Sequence, residues 1–571
     1  MSMPGRASTA SNTAVNLIPL LAFGVVVFVV LFWRLGAPSF WDPDEAHYAE
    51  TTRELVQTGD WLAPYYNEIP FFDKPILFHW LQGVSMWIAG PSEFAARLVP
   101  ALAALGLIGV TVWFGAVLLS ADVAVIAGLA LATSPALFAL ARYAILDALF
   151  TLFLFGGAAL VSVSALQQRP ALQWLGYISI ALAVLTKGPL ALVLCGLTFG
   201  LALLLSAELR RRLLGLRVFS GVLIVLAVAA PWFIYMGFRF RDAFVAGYLF
   251  DENISLYATN RFTPTASSSV WFYVRVLAAG LLPWTGVLVG RLWDDGRRWW
   301  RRDGSVDPVD VLLWSWTLAI VVFFTFSRFK LDHYIFPTTP TLCLLCARAW
   351  VAAREHPAGS QNAGARLGVA LVGPLLVVVA AAGAFMLIAR LALPATALLV
   401  PAAVGAAGVV MTLTVTPRKG AAGGAMRGAR TPWVVIAAMT VTYAGLLVWV
   451  LPALEQKKVV PDVARWVAAE ASATDRVATY RLNRWNNAFR FYVDRHVAMI
   501  DAPDQVMALF AGTEPFYCTM LGSAYDEFVA QGAPLRVVYE REGMWATSGR
   551  ILWRRPVPLT RFVVVTRANG R

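Results

Sequence analysis

The chain has 571 residues, 59% of them hydrophobic and only 14% charged, with a net charge of +13 and a mean hydropathy of +0.65. Soluble chains carry about 25% charged residues, so this composition excludes disorder and argues against a soluble enzyme, whose cores would not bury so much apolar surface. The basic residues cluster between apolar runs, which is how orientation signals are distributed and is not a continuous nucleic-acid-binding face.

In chain order, apolar runs fall at 15–33, 76–89, 97–118, 122–140, 147–166, 172–186, 188–205, 217–237, 270–290, 309–326, 334–352, 367–389, 393–415 and 432–451. A spanning helix needs about 20 such residues. The first run is too long for a signal peptide and lacks a small-residue cleavage site, so it reads as an anchor. The run 76–89 is short and carries His79, Gln82, Trp80 and Trp87, which suits a helix lying in the interface. Omitting it leaves thirteen spans, with the N-terminus inside and the C-terminus outside. Three basic clusters then fall on the cytoplasmic side: Arg210, Arg211, Arg212 and Arg217; Arg291, Arg297, Arg298, Arg301 and Arg302; Arg418, Lys419, Arg427 and Arg430. The segment 37–75 falls outside, with eight acidic residues against two basic ones. Cys343 and Cys346 form a CxxC inside an apolar run and read as small packing residues.

From Glu455 the charges return. Pieces at 476–480, 486–492, 497–500, 504–510, 516–521, 524–530, 536–539 and 551–554 alternate between strand and helix patterns, which predicts a small α/β domain. The expected architecture is an all-α polytopic bundle of about 13 transmembrane helices over 1–454, with interfacial helices in a first external loop at 37–96. An external α/β domain occupies 455–571.

With thirteen spans, separate polar clusters share the external face. They are 41–48 after the first span, Phe72-Asp73-Lys74-Pro75 closing the same loop, Arg142-Tyr143 with Asp147, Lys187-Gly188-Pro189, and 327–334. Ionisable residues at a bilayer border need a partner or water and are functional candidates by default. Asp42-Pro43-Asp44-Glu45 has the pattern of a helix start, with Asp42 as cap, Pro43 in the first turn and Glu45 reaching back. That leaves Asp44 as the candidate working carboxylate. Tyr48, Thr52, Leu55 and Val56 follow on one face of a surface helix. Lys74 is a compact cation suited to a phosphate, or else a surface partner for Asp73. Arg142 and Lys187 can serve as phosphate ligands or as snorkelling cations. Asp147 opens a span and can be a helix N-terminal acid or a site residue. Lys330, His333 and Tyr334 crowd beside Asp332.

Asp44-Glu45-Ala46-x-Tyr48-Ala49, Lys74-Pro75, 92–98, Lys187-Gly188 and Lys330-Leu331-x-x-Tyr334-x-x-Pro337 occur in that order. In this the chain resembles the GT-C membrane glycosyltransferases that use a polyprenyl-phosphate sugar. It is most similar to the branch of lipid A aminoarabinose transferases and, more distantly, to protein O-mannosyltransferases. The resemblance runs from about residue 15 to 450 and extends to the external domain. It implies that Asp44 is the principal catalytic carboxylate, with Asp147 and Glu45 beside it. It implies that Lys74 holds the donor phosphate and that Tyr334 is a further site position; the sequence reading places His47, Arg142 and Lys187 with them as phosphate ligands, and Asp73, Lys330, His333 and Tyr48 as substrate-binding residues. His47 stands where that branch often has arginine, Asp73 where glutamate is usual, and Ile76 where a second proline follows the lysine-proline. The implied activity is inverting transfer of a sugar from undecaprenyl phosphate, with 4-amino-4-deoxy-L-arabinose and a lipid A phosphate as the leading pair. Another sugar with a glycan or protein hydroxyl acceptor is the nearest alternative, and a lipid-linked substrate flippase the alternative of another class. No cofactor, catalytic metal or nucleic-acid partner is expected. The expected setting is the bacterial inner membrane, as a monomer with its active site and C-terminal domain on the periplasmic side.

Overall fold

The computed structural model describes residues 17–258, 269–301, 306–355, 362–391, 393–415, 432–482, 487–545 and 559–568. Each apolar run read as a span is mostly helical where it is described. Among the described residues eight helices are long and apolar enough to cross a membrane, and ten if each of two bent pairs counts as one. Leu21–Phe32 and Leu190–Leu205 are apolar but shorter. The run at 76–89 folds as Leu77–Ala89, 13 residues or about 20 Å of helix, too short to span.

Two runs expected to be single spans are broken. The run 122–140 becomes Ala121–Ala132 and Pro135–Ala141, bent by 59°. Pro135 has no N–H to continue the ladder, and Ser134 restarts the helix by accepting from Leu137 N. The interrupted backbone is satisfied inside the protein, where Tyr443 Oη donates to Thr133 O at 2.7 Å. The run 270–290 becomes Phe272–Gly280 and Thr285–Trp300, bent by 120° around Pro283.

Small residues bring the helices behind the site close together. A Cβ on Gly157 would stand 2.9 Å from Gly176 O, so the Asp147–Gln167 and Pro170–Lys187 helices pack backbone to backbone there. The second helix ends at Lys187. Gly188 follows at φ +85°, with Tyr248 filling the space a side chain would need.

The external loop carries the Asp44–Thr58 helix, a two-residue hairpin of β1 (Tyr65–Tyr66) and β2 (Ile69–Pro70), and the Leu77–Ala89 helix. The expected pieces of the C-terminal domain from 476 to 539 fall on strands and helices as read, and one further strand was not expected. Its strands are β3 (Arg476–Tyr480), β4 (Ala498–Ile500), β5 (Phe516–Leu521), β6 (Leu535–Gly543) and β7 (Thr560–Arg567), in the order β4-β3-β5-β7-β6. β3 is parallel to β4 and β5, and β7 runs antiparallel between β5 and β6. The expected strand at 551–554 lies outside the described residues. The unexpected strand is β7, whose Val563, Val564 and Val565 are fully buried, so it shows a continuous apolar run without alternation. One apolar core unites the domain with the external loop, joining Phe40, Ala46, Ala49 and Met86 to Val463, Phe489, Phe491 and Val564.

Candidate active site

Three acidic residues open the Asp44–Thr58 helix region, and the fold gives each a different environment. Asp42 does not cap the helix as the sequence pattern suggests; no side chain caps it. Its carboxyl is buried and accepts from Ala488 N at 2.8 Å, across 446 residues. Burial pushes it up to about 8, against the pull of that amide and of Lys458. Glu45 does reach back, accepting from Trp41 N at 3.0 Å. It is also fully buried in a two-point ion pair with Arg97, at 2.6 Å and 2.9 Å, and accepts from Ala144 N at 3.0 Å. Both its oxygens are therefore taken, so the geometry gives Glu45 a structural role in place of the catalytic one. Asp44 alone is half-buried and makes no hydrogen bond or ion pair among the described residues. Its charge reaches His47, Tyr48, Tyr143, His333 and Tyr334.

A second group meets it from three other segments. Asp147 Oδ1 lies 2.5 Å from Lys187 Nζ, and both side chains are buried. Asp147 Oδ2 lies 3.9 Å from His333 Nε2. The Lys187 ammonium sits 4.8 Å from the centre of the Tyr334 ring and 5.4 Å from that of Phe150. The Asp147 carboxylate thus stands at the N-terminus of its helix and Lys187 at the C-terminus of the next, both favoured by the helix dipoles.

Lys74 joins these groups from the end of the external loop. It donates to Asp73 O at 2.7 Å and pairs with Glu252 at 3.2 Å. Its charge reaches both His47 and Lys187. Glu252 was not singled out by sequence, although Asp251-Glu252-Asn253 follows the 217–237 span on the same external side and met the sidedness criterion. Tyr48 packs edge-on against Phe71 and Phe78, and its phenol, held above the usual range by burial, also feels Asp73, Asp44, Asp147 and Tyr334. His47 stands edge-on to Tyr66 and Phe71, and burial pulls it down to about 4. It is neutral at pH 7, so it can meet a phosphate only as a neutral hydrogen-bonding group and adds no charge.

Two expected members turn elsewhere. Arg142 donates to Val30 O and Trp33 O, at 3.3 Å and 2.9 Å, and so closes the carbonyl end of the first apolar helix. Lys330 is buried, donates to Ser327 O at 2.6 Å, and is held below the usual lysine range by desolvation. Among the described residues no three His, Cys, Asp or Glu side chains stand close enough to hold a metal ion. Cys343 and Cys346 are free and buried, as packing residues.

The site therefore assembles Asp44, His47, Tyr48, Asp73, Lys74, Asp147, Lys187, Glu252, His333 and Tyr334 from six separate stretches of the chain. A carboxylate without a hydrogen-bond partner among the described residues and two ammoniums gathered around the same tyrosine and histidine side chains suit a reaction that separates an anionic leaving group from a developing cation.

Residues 21–245 match the family model of dolichyl-phosphate-mannose-protein mannosyltransferases. The undecaprenyl phosphate-α-4-amino-4-deoxy-L-arabinose arabinosyl transferase of Yersinia pestis (strain Pestoides F) is 32% identical over 335 residues, 57% of this chain and 58% of that protein. The protein of the same name from Aeromonas salmonicida (strain A449) is 32% identical over 344 residues, 58% of this chain and 60% of its own length. The match thus spans less than two-thirds of these curated relatives. The crystal structure of ArnT from Cupriavidus metallidurans bound to undecaprenyl phosphate superposes with a TM-score of 0.74 at 23% identity, covering 96% of this chain and 98% of the other. Its apo form gives 0.72 over 97% and 99%. Fold and site together define a polytopic membrane protein whose charged side chains gather from several loops. The chain shares its architecture, α/β domain included, with that ArnT structure.

Proposed function

We propose that this chain is an integral membrane glycosyltransferase that moves 4-amino-4-deoxy-L-arabinose from undecaprenyl phosphate to a lipid A phosphate, with inversion. The names of its relatives support the substrate pair, and the solved relative supports the carrier. The observation that carries the reading is the gathering of Asp44, Lys74, Asp147, Lys187 and Tyr334 at one place from distant stretches of the chain.

In this reading an acceptor phosphate oxygen attacks the anomeric carbon from the face opposite the carrier. The bond from that carbon to the carrier oxygen breaks, and its electron pair leaves with the carrier phosphate. The transition state has oxocarbenium character. Asp44 stabilises that positive charge and orients the acceptor. An ionised phosphate brings no proton to remove, so Asp44 is not needed as a base. Lys74 takes up charge on the departing phosphate as that phosphate replaces Glu252 beside it, and Lys187, held by Asp147, contributes from the other side. The scheme calls for no cofactor and for one copy of the chain. The basic clusters at 210–217 and 291–302 support a bacterial inner-membrane orientation with site and C-terminal domain in the periplasm.

Mass spectrometry of lipid A from cells with and without the chain tests this. The expected result is loss of the aminopentose adduct without it. An unchanged lipid A, with the sugar missing from a glycan or protein instead, would overturn the substrate assignment.

A further inference from the structure

Every link of the chain leading into Asp44 is held by the C-terminal domain or by the short stretch that enters it. Ser39 N donates to Glu455 at 3.1 Å, and Lys458 donates to Ser39 O at 2.9 Å while lying 4.3 Å from the centre of the Trp41 ring. Phe40 N donates to Tyr492 Oη at 2.8 Å. Asp42 accepts from Ala488 N at 2.8 Å, and Pro43 O accepts from Asn487 Nδ2 at 3.0 Å. Asp44 is the next residue.

The same Asn487–Val493 helix also fixes the rotation of the helix that Asp44 opens. Arg490 pairs with Glu50 at 2.6 Å and with Glu54 at 2.5 Å, and all three are buried. Arg53, bound to Glu50 at 2.8 Å, pairs with Asp494. Charges buried this deeply require good geometry on both sides, so the lattice tolerates one register of the two helices. Such an arrangement costs more than apolar packing would, and its return is orientation.

We propose that the C-terminal domain is a positioning device for the catalytic carboxylate: its Asn487–Val493 helix holds residues 39–43 and the 50–54 face so that Asp44 points into the site. Asn487 and Arg490 are positioning residues, acting through Pro43 and through Glu50 and Glu54. This rests on the assignment of Asp44 as the working carboxylate. A misplacement of about 1 Å at a reacting group costs on the order of 100-fold in rate, so loosening one tether has a measurable effect on turnover.

The test uses the full chain in lipid nanodiscs, with undecaprenyl-phosphate-linked 4-amino-4-deoxy-L-arabinose and lipid A as substrates. Asn487→Ala removes the bond to Pro43 O and also the acceptor of Tyr66 Oη, which lies 2.6 Å away. Tyr66→Phe removes only the latter and serves as control. Asn487→Ala should lower kcat at least tenfold with donor KM within twofold and an unchanged thermal midpoint, while Tyr66→Phe keeps kcat within twofold. Hydrogen exchange gives a readout independent of catalysis. The His47 amide, bonded to the same Pro43 O at 3.0 Å, should exchange at least tenfold faster in Asn487→Ala only. Equal kcat in the two variants, or unchanged exchange at residues 41–48, overturns the proposal. Full activity of Asp44→Asn would instead refute the catalytic assignment, leaving the exchange result to judge the clamp.

Discussion

At the scale of single residues, neighbours in sequence part company in space. Asp42, Asp44 and Glu45 lie within four positions, yet one is tied to the far domain, one is satisfied by Arg97, and one is left facing the site. The sequence pattern identified the reach of Glu45 back toward the chain start and set Asp44 apart. It did not reveal that Arg97, from the helix Glu93–Leu118, supplies the countercharge. Removing one partner of a buried ion pair leaves the other charge unpaired and costs about 3–5 kcal/mol. Glu45→Ala is therefore expected to lower the thermal midpoint of the detergent-solubilised protein markedly, whereas Asp44→Ala leaves it unchanged. Equal stability of the two variants would show that the Glu45–Arg97 pair does not hold the loop. His47 belongs to the same lesson. The sequence reads it as a phosphate ligand, but packing against Tyr66 and Phe71 and the attendant desolvation keep it neutral.

At the scale of elements, two contacts make the site adjustable. The first is Lys74 with Glu252, which reaches it from the helical segment Val245–Ser255. A phosphate entering beside Lys74 competes with that carboxylate, so Glu252→Gln should lower the KM for donor several-fold with little change in kcat. A raised donor KM would mean that Glu252 helps to hold the donor. The second is Asp42 against the Asn487–Val493 helix. Its pKa is about 8 in the docked state and 3.8 is its ordinary value. Between those values the docked carboxyl keeps its proton and the released one loses it, so docking weakens as pH rises through this window and levels off above about 8. The facing groups Lys458 and Glu45 act in opposite directions on it. Exchange protection of residues 487–493, corrected for intrinsic rates, is expected to be higher at pH 6 than at pH 8.5, and Asp42→Asn should flatten the difference. Protection rising with pH would contradict this.

At the scale of the whole molecule, apolar runs and the return of charge after 455 were enough to read a polytopic bundle followed by an α/β domain, because the bilayer demands long apolar helices. The breaks at Pro135 and Pro283 were hidden, since hydropathy averages over a bend whose cause is local. β7 was missed because a strand buried on both faces loses its alternation. The buried lattice of Glu50, Arg53, Glu54 and Arg490 was hidden for another reason: it pairs side chains more than 430 residues apart, and no local pattern reports such a contact.

The central claim is that these distant stretches build one centre in which Asp44 acts on the sugar and Lys74 holds its phosphate carrier. Steady-state transfer kinetics with purified wild type, Asp44→Asn and Lys74→Ala test it most directly. The account predicts that Asp44→Asn lowers kcat by about 100-fold, or roughly 2.7 kcal/mol, at an unchanged donor KM, and that Lys74→Ala raises donor KM. Turnover by Asp44→Asn within twofold of wild type would contradict it.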